Sequence, residues 1–138
     1  MQTVPLGETS GNFRRTILNF AAVVEIATGL ALMIDPAIVV KLLLGAEVSG
    51  IGSLLGRFFG IALLALGMAC WPGKQCSDSN SPAFRAMLIY NALITLYLTY
   101  LGTVGHLQGL LMWPAMALHA IVALLLFWTW LRRKRIKT

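Results

Sequence analysis

Four polar side chains interrupt otherwise apolar stretches of this chain: Glu25, Arg57, Asn91 and His119. A carboxyl, an amide and an imidazole held together can take up and release a proton, or grip the polar head of a lipophilic molecule. A charged group at the centre of a bilayer costs from about 3 to more than 10 kcal/mol by different measures. A carboxyl placed there is therefore expected to face a partner or a water-filled cavity. Ser, Thr or Asn would hold helices together with less desolvation, so Glu25 is the residue that most needs a chemical explanation. Asn91 and His119 are equally suited to plain interhelical hydrogen bonding, worth about 0.6 kcal/mol per bond on average in membranes.

The stretches that carry these residues read as membrane spans. Of 138 residues 58% are hydrophobic and 12% charged, with a mean hydropathy of +0.78, whereas soluble domains run near 45–50% apolar and about 25% charged. A chain this short cannot hide that excess in one core. Four runs reach the roughly 20 apolar residues needed to cross: residues 13–34, 51–71, 83–104 and 109–131. Asp35-Pro36, Pro72-Gly73, Ser81-Pro82 and the basic run from Arg132 punctuate them. The runs are long and rich in Leu and Ala, without the alternation of a β-barrel strand. The expectation is a single all-α membrane domain, a four-transmembrane-helix bundle.

Depth follows from counting at ~1.5 Å per residue. Glu25 falls ~14 Å from the inner end of its span, Asn91 ~12 Å from the inner end of the third, and His119 ~15 Å from the outer end of the fourth. In a hydrocarbon layer of about 30 Å these share one level. Arg57 lies ~9 Å from the outer end of the second span, from where its side chain reaches down to Glu25 or up to the headgroups. Small or polar neighbours (Ala21, Ala22, Thr28 and Gly29; Thr95, Thr99 and Gly102; Ala115 and Ala123) would turn these faces inward. The expected site is a polar layer of Glu25, Asn91 and His119 capped by Arg57, flanked by Tyr90, Tyr97 and Trp113.

Between the first two spans, residues 36–44 read as a short helix with Asp35 as N-cap, Pro36 at the first position and Gly45 just past the end. About 14 Å long, it is too short to cross, and is expected along the interface or folded over the mouth of the bundle. In the second span Gly52, Gly56, Gly60 and Gly67 fall within an arc of about 80°, interrupted by Leu63. Such a stripe packs a neighbouring helix closely, in the same chain or a second copy, with the closest approach expected around Gly56.

With both ends in the cytoplasm, the inner side receives Arg14, Arg15, Lys74, Arg85 and the five basic residues 132–135 and 137, nine of eleven Lys and Arg. That matches the positive-inside pattern and assigns the +6 net charge to topology and anionic lipid rather than nucleic acid. The location read from this is the inner (plasma) membrane. Residues 1–12 are polar and the first apolar run is too long for a signal h-region, so it is read as a retained span. Cys70 and Cys76 form no recognised motif, and a disulfide is expected only if the topology were reversed. Two histidines, one in a loop, do not suit a haem. One carboxyl with one imidazole does not make a metal site, and no nucleophile motif or phosphate loop is evident.

Gly29-Leu-Ala-Leu through Pro36, Leu43-Leu44-Gly45, and Gly56-Arg57-Phe58-Phe59-Gly60 onward to Gly67 resemble the DoxX-like class of small bacterial four-span proteins. The resemblance covers about a third of the chain and implies a four-helix membrane bundle and, at a remove, a quinone or redox partner. It carries no catalytic residue over. Three functions are therefore expected in this order: an accessory or scaffold subunit of a larger membrane complex, a binder of a lipophilic molecule such as a quinone or isoprenoid, and an enzyme using Glu25 and His119 on such a lipid. No cofactor is expected from the residues themselves. The partners are the bilayer and, beyond it, other membrane subunits or a homo-oligomer.

Overall fold

The computed structural model describes residues 6–71 and 81–136, with the side chains of 6–10 and 133–136 excepted. Five helices follow in order: α1 (Leu6–Ile34), α2 (Pro36–Leu44), α3 (Ile51–Ala69), α4 (Pro82–Thr103) and α5 (Met112–Ile136). Four of them are long and apolar enough to cross a membrane, and α2 is not. The described residues contain no strand. Pro72, Gly73, Lys74 and Cys76 lie outside the described residues.

Helix punctuation follows the local chemistry. The Asp35 side chain accepts from the Ile38 N–H at 3.1 Å, Pro36 opens α2, and Gly45 closes it at φ 69°. That left-handed cap admits a glycine without Cβ strain. Ser81 caps α4 by accepting from the Phe84 N–H at 3.1 Å, again with a proline at the first position. Two helices differ in extent from the sequence reading. α1 begins at Leu6, so part of the polar N-terminal stretch is helical, and α5 begins at Met112 and continues to Ile136. Gly109 to Leu111 instead form a turn, in which the Met112 N–H donates to the Gly109 carbonyl. A run of apolar residues sets a span's membership, whereas turns and polar helix extensions carry no apolar signal.

α1 packs along α3 and α4 packs along α5, and the two pairs meet through α1. One core cluster joins Ile17, Leu18, Ala21 and Ala22 of α1, Cys70 just past α3, Phe84 and Met87 of α4, and Val122 and Leu126 of α5. These residues come from the middle of α1, the end of α3, the start of α4 and the middle of α5, and α1 and α5 run on past them to the ring contacts of Phe13 and Trp128. Both termini of the described chain therefore lie at one end of the bundle. There Phe13 meets Trp128 edge-on at 6.3 Å, and the Arg132 guanidinium lies 3.7 Å over the Trp128 ring.

At the other end α2 packs on α1, α3 and α5. The Leu111 N–H donates to the Leu42 carbonyl at 2.8 Å, and Gly109 passes directly over the Leu42–Leu43 backbone. Lys41 is exposed and paired with Glu47 at 2.7 Å. α2 is therefore strapped across one end of the bundle by backbone contacts, with its charge outward.

The glycine stripe of α3 faces inward along the same chain. A Cβ on Gly60 would lie 2.7 Å from the Gly29 carbonyl oxygen, and one on Gly67 would lie 2.9 Å from that of Ala22. Gly56 meets Pro36 of α2, and Gly52 meets the Val48 side chain. The closest span-to-span approach is thus at Gly60 and Gly67, on either side of buried Leu63, rather than around Gly56. Leu63 interrupts the stripe without opening it, because the glycines on both sides still meet α1 backbone.

Candidate functional site

Glu25, Asn91 and His119 come together where the α1/α3 pair meets the α4/α5 pair. Glu25 is 2% exposed, Asn91 1%, and the His119 side chain 13%. Each arrives on the buried stripe of its helix. On α1, Glu25 stands one turn beyond Ala21 and one before Gly29, which are buried with it. On α4, Phe84, Met87, Asn91, Leu98 and Gly102 share a narrow inward face. On α5, Met112, Val122 and Leu126 flank His119 at helical spacing.

The hydrogen bonds fix proton positions. Asn91 Nδ2 donates to the Met87 carbonyl at 2.9 Å, which turns Oδ1 toward His119 Nδ1, also at 2.9 Å. An amide oxygen only accepts, so His119 carries its proton on Nδ1. In the neutral ring Nε2 is then an acceptor. The nearer carboxylate oxygen of Glu25 lies 3.9 Å from the same Nδ1. The Tyr90 hydroxyl is a polar neighbour of the Glu25 carboxyl, and the Tyr90 ring stands edge-on to the imidazole at 5.9 Å. Four side chains from three helices thus form one cluster, in which α1 supplies the carboxyl, α4 the phenol and amide, and α5 the imidazole.

Arg57 does not join it. Its side chain is exposed on α3, level with the part of α1 beyond Gly29, because neighbouring Gly60 packs against Gly29 and Leu32 and Gly56 against Pro36. Among the described residues no ion pair links it to Glu25. The expected cap is thus replaced by an exposed arginine at a level of α3 nearer to α2 than Glu25 is. Counting residues along a helix gives height; it does not give azimuth.

The α4 hydroxyls are also excluded. Thr95, Thr99 and Thr103 donate to the carbonyls of Asn91, Thr95 and Thr99, each at 2.7 Å. Satisfied within their own helix, they leave the polar layer to Asn91. Tyr97 is exposed, and Trp113 packs over Gly102, away from the cluster. Cys70 is buried and its thiol donates to the Ala83 carbonyl at 3.5 Å, tying α3 to the start of α4. No group of three metal-ligating side chains occurs among the described residues.

Tyr90 is one of three aromatic residues expected to line the site, and of the three it is the one that the structure brings to the imidazole. It lies about 100° around the helix from Asn91, so face arithmetic separates the two. Comparisons of the chain with protein-family models, with curated proteins and with solved structures give no match.

Proposed function

We propose that this multi-pass membrane protein binds a lipophilic small molecule through a polar head seated at the Glu25–Tyr90–Asn91–His119 cluster. The convergence of Glu25 with Tyr90 and His119 carries this reading. Asn91 and His119 complete each other as a structural hydrogen bond. The carboxyl is surplus to that bond and costs several kcal/mol to bury, so holding helices together does not account for it. The resemblance to DoxX-like proteins agrees with a small four-span binder and supplies quinone as one candidate class. We further infer an inner-membrane location with both termini cytoplasmic, supported by Arg14, Arg15, Arg85 and Arg132 near the terminal end of the bundle.

Lipid co-extracted with the protein in a mild detergent and identified by mass spectrometry tests the reading. A stoichiometric small molecule that is lost in Glu25→Ala supports it. Bulk phospholipid alone, unchanged in the variant, would end it. The accessory-subunit reading draws on a different observation: α3 is packed along one narrow stripe and leaves Leu54, Leu55, Phe58, Phe59 and Ile61 outward. Co-purification of a larger assembly, lost when Phe58 and Phe59 are made alanine, would favour it.

A further inference from the structure

We infer that the head group taken by this cluster is a protonated amine on an apolar body, held by the Glu25 carboxylate in exchange for a proton. The inference rests on the binding reading above and narrows its ligand class. Its basis is an inventory of the hydrogen-bonding capacity that the cluster leaves unused. The Tyr90 hydroxyl lies beside Glu25, one Asn91 N–H goes to the Met87 carbonyl, and the His119 Nδ1–H goes to Asn91 Oδ1. What remains is mainly acceptor: the carboxylate lone pairs and, in the neutral imidazole, Nε2. A site with surplus acceptors selects a head that donates. A carboxylate head would leave those acceptors unanswered and meet like charge.

Charge sharpens the choice. α4 presents Tyr90 to Glu25 and α5 presents His119. The α3 face against α1 is Gly60, Leu64 and Gly67, with no titratable group. Arg57 is exposed farther along α3, and Lys41 of α2 is exposed and paired with Glu47. Among the described residues, then, no lysine or arginine neutralises the carboxyl, and a buried ion needs an opposite charge to be tolerated. An ammonium supplies both the charge and up to three donors, whereas an alcohol supplies one donor and no charge. Binding conserves charge: the ammonium enters with its own proton, the Glu25 carboxyl releases one to water, and the site changes occupant without a net change in charge.

Dodecylamine and dodecanol, matched in chain length, test this on the full chain in nanodiscs of zwitterionic lipid. Thermal unfolding is followed by tryptophan fluorescence at equal mole fractions of additive. Dodecylamine should raise the midpoint in a saturable manner and dodecanol should not, and Glu25→Gln should abolish the difference. The apparent affinity for the amine should weaken about tenfold per pH unit on the acid side of a single titration. If Glu25→Gln does not fold, the amine-against-alcohol comparison and the pH slope of the unmodified protein decide alone. Saturable stabilisation by dodecanol equal to that by dodecylamine would overturn the ammonium inference and leave a small-molecule site standing. Amine binding with no pH slope would also overturn it. If neither additive binds, the inference falls, and a native lipid still lost in Glu25→Ala would preserve the broader reading.

Discussion

Gly29 and Gly60 face each other with no side chain between them: a Cβ on either would lie 2.7 Å from the other's carbonyl oxygen. The obstacle is backbone, which cannot rotate aside as a side chain can. Gly60→Ala or Gly29→Ala must therefore push α3 off α1, at a cost typical of overpacking, about 1–3 kcal/mol. Gly11, with nothing within 4 Å of its missing Cβ, is the control. There alanine should be neutral or stabilise the helix by up to about 1 kcal/mol. Thermal midpoints of the three variants in one detergent check the contrast. Equal midpoints for Gly60→Ala and Gly11→Ala would mean that α3 does not sit where the glycines place it.

The Asn91–His119 hydrogen bond predicts a measurable coupling. Asn91→Leu and His119→Leu should each destabilise, because each leaves a polar partner buried without its bond, at about 1–3 kcal/mol. The double variant should cost less than the sum. The difference is expected near the membrane average of about 0.6 kcal/mol, read from a double-mutant cycle of unfolding free energies. Strict additivity would show that the 2.9 Å contact contributes nothing.

These two contacts mark what the chain reveals by itself. The glycine stripe and the common height of Asn91 and His119 both follow from helical arithmetic, since height and face are functions of residue number alone. α2 was legible to the residue, because Asp, Pro and Gly are each favoured at one helix-end position, the N-cap, the first turn and the left-handed C-terminal cap, where Asp35, Pro36 and Gly45 stand. The placement of Arg57 was not. Whether a side chain off the buried stripe turns toward a third helix depends on how pairs of helices dock, and no local pattern encodes that. The α4 threonines misled for a related reason: a hydroxyl that reads as polar can vanish into its own helix by donating to the carbonyl four residues back.

The exposed position of Arg57 makes a negative prediction about the site. Arg57→Gln should leave ligand retention unchanged, while Glu25→Gln should keep the helical content and lose the ligand. Circular dichroism and mass spectrometry of extracted lipid on the two variants provide the comparison. Loss of ligand in both would mean that the arginine reaches the carboxyl after all.

At the α2 end, two kinds of contact hold the strap and they should respond differently. The Lys41–Glu47 pair raises the lysine pKa and lowers that of the glutamate, in each case through their mutual hydrogen bond. For the glutamate, the lowered value means a contribution that is full above the ordinary carboxylate range and lost as pH falls through the folded value. For the lysine, the raised value means a contribution that is full below the ordinary ammonium range and lost as pH rises through the folded value. Both side chains are exposed, and solvent screens such pairs, so acidification or Lys41→Met should leave α2 docked. The backbone crossing is another matter. Gly45 holds a left-handed φ with its Cβ direction 2.8 Å from the Gln108 carbonyl, and Gly109 lies against the Leu42 carbonyl. Gly109→Val should break the Leu111–Leu42 hydrogen bond and free α2 from the α4–α5 turn. Amide hydrogen exchange at Leu111 reads this directly: protection should survive Lys41→Met and low pH, and fall in Gly109→Val. Loss of protection in Lys41→Met would transfer the anchoring role to the ion pair.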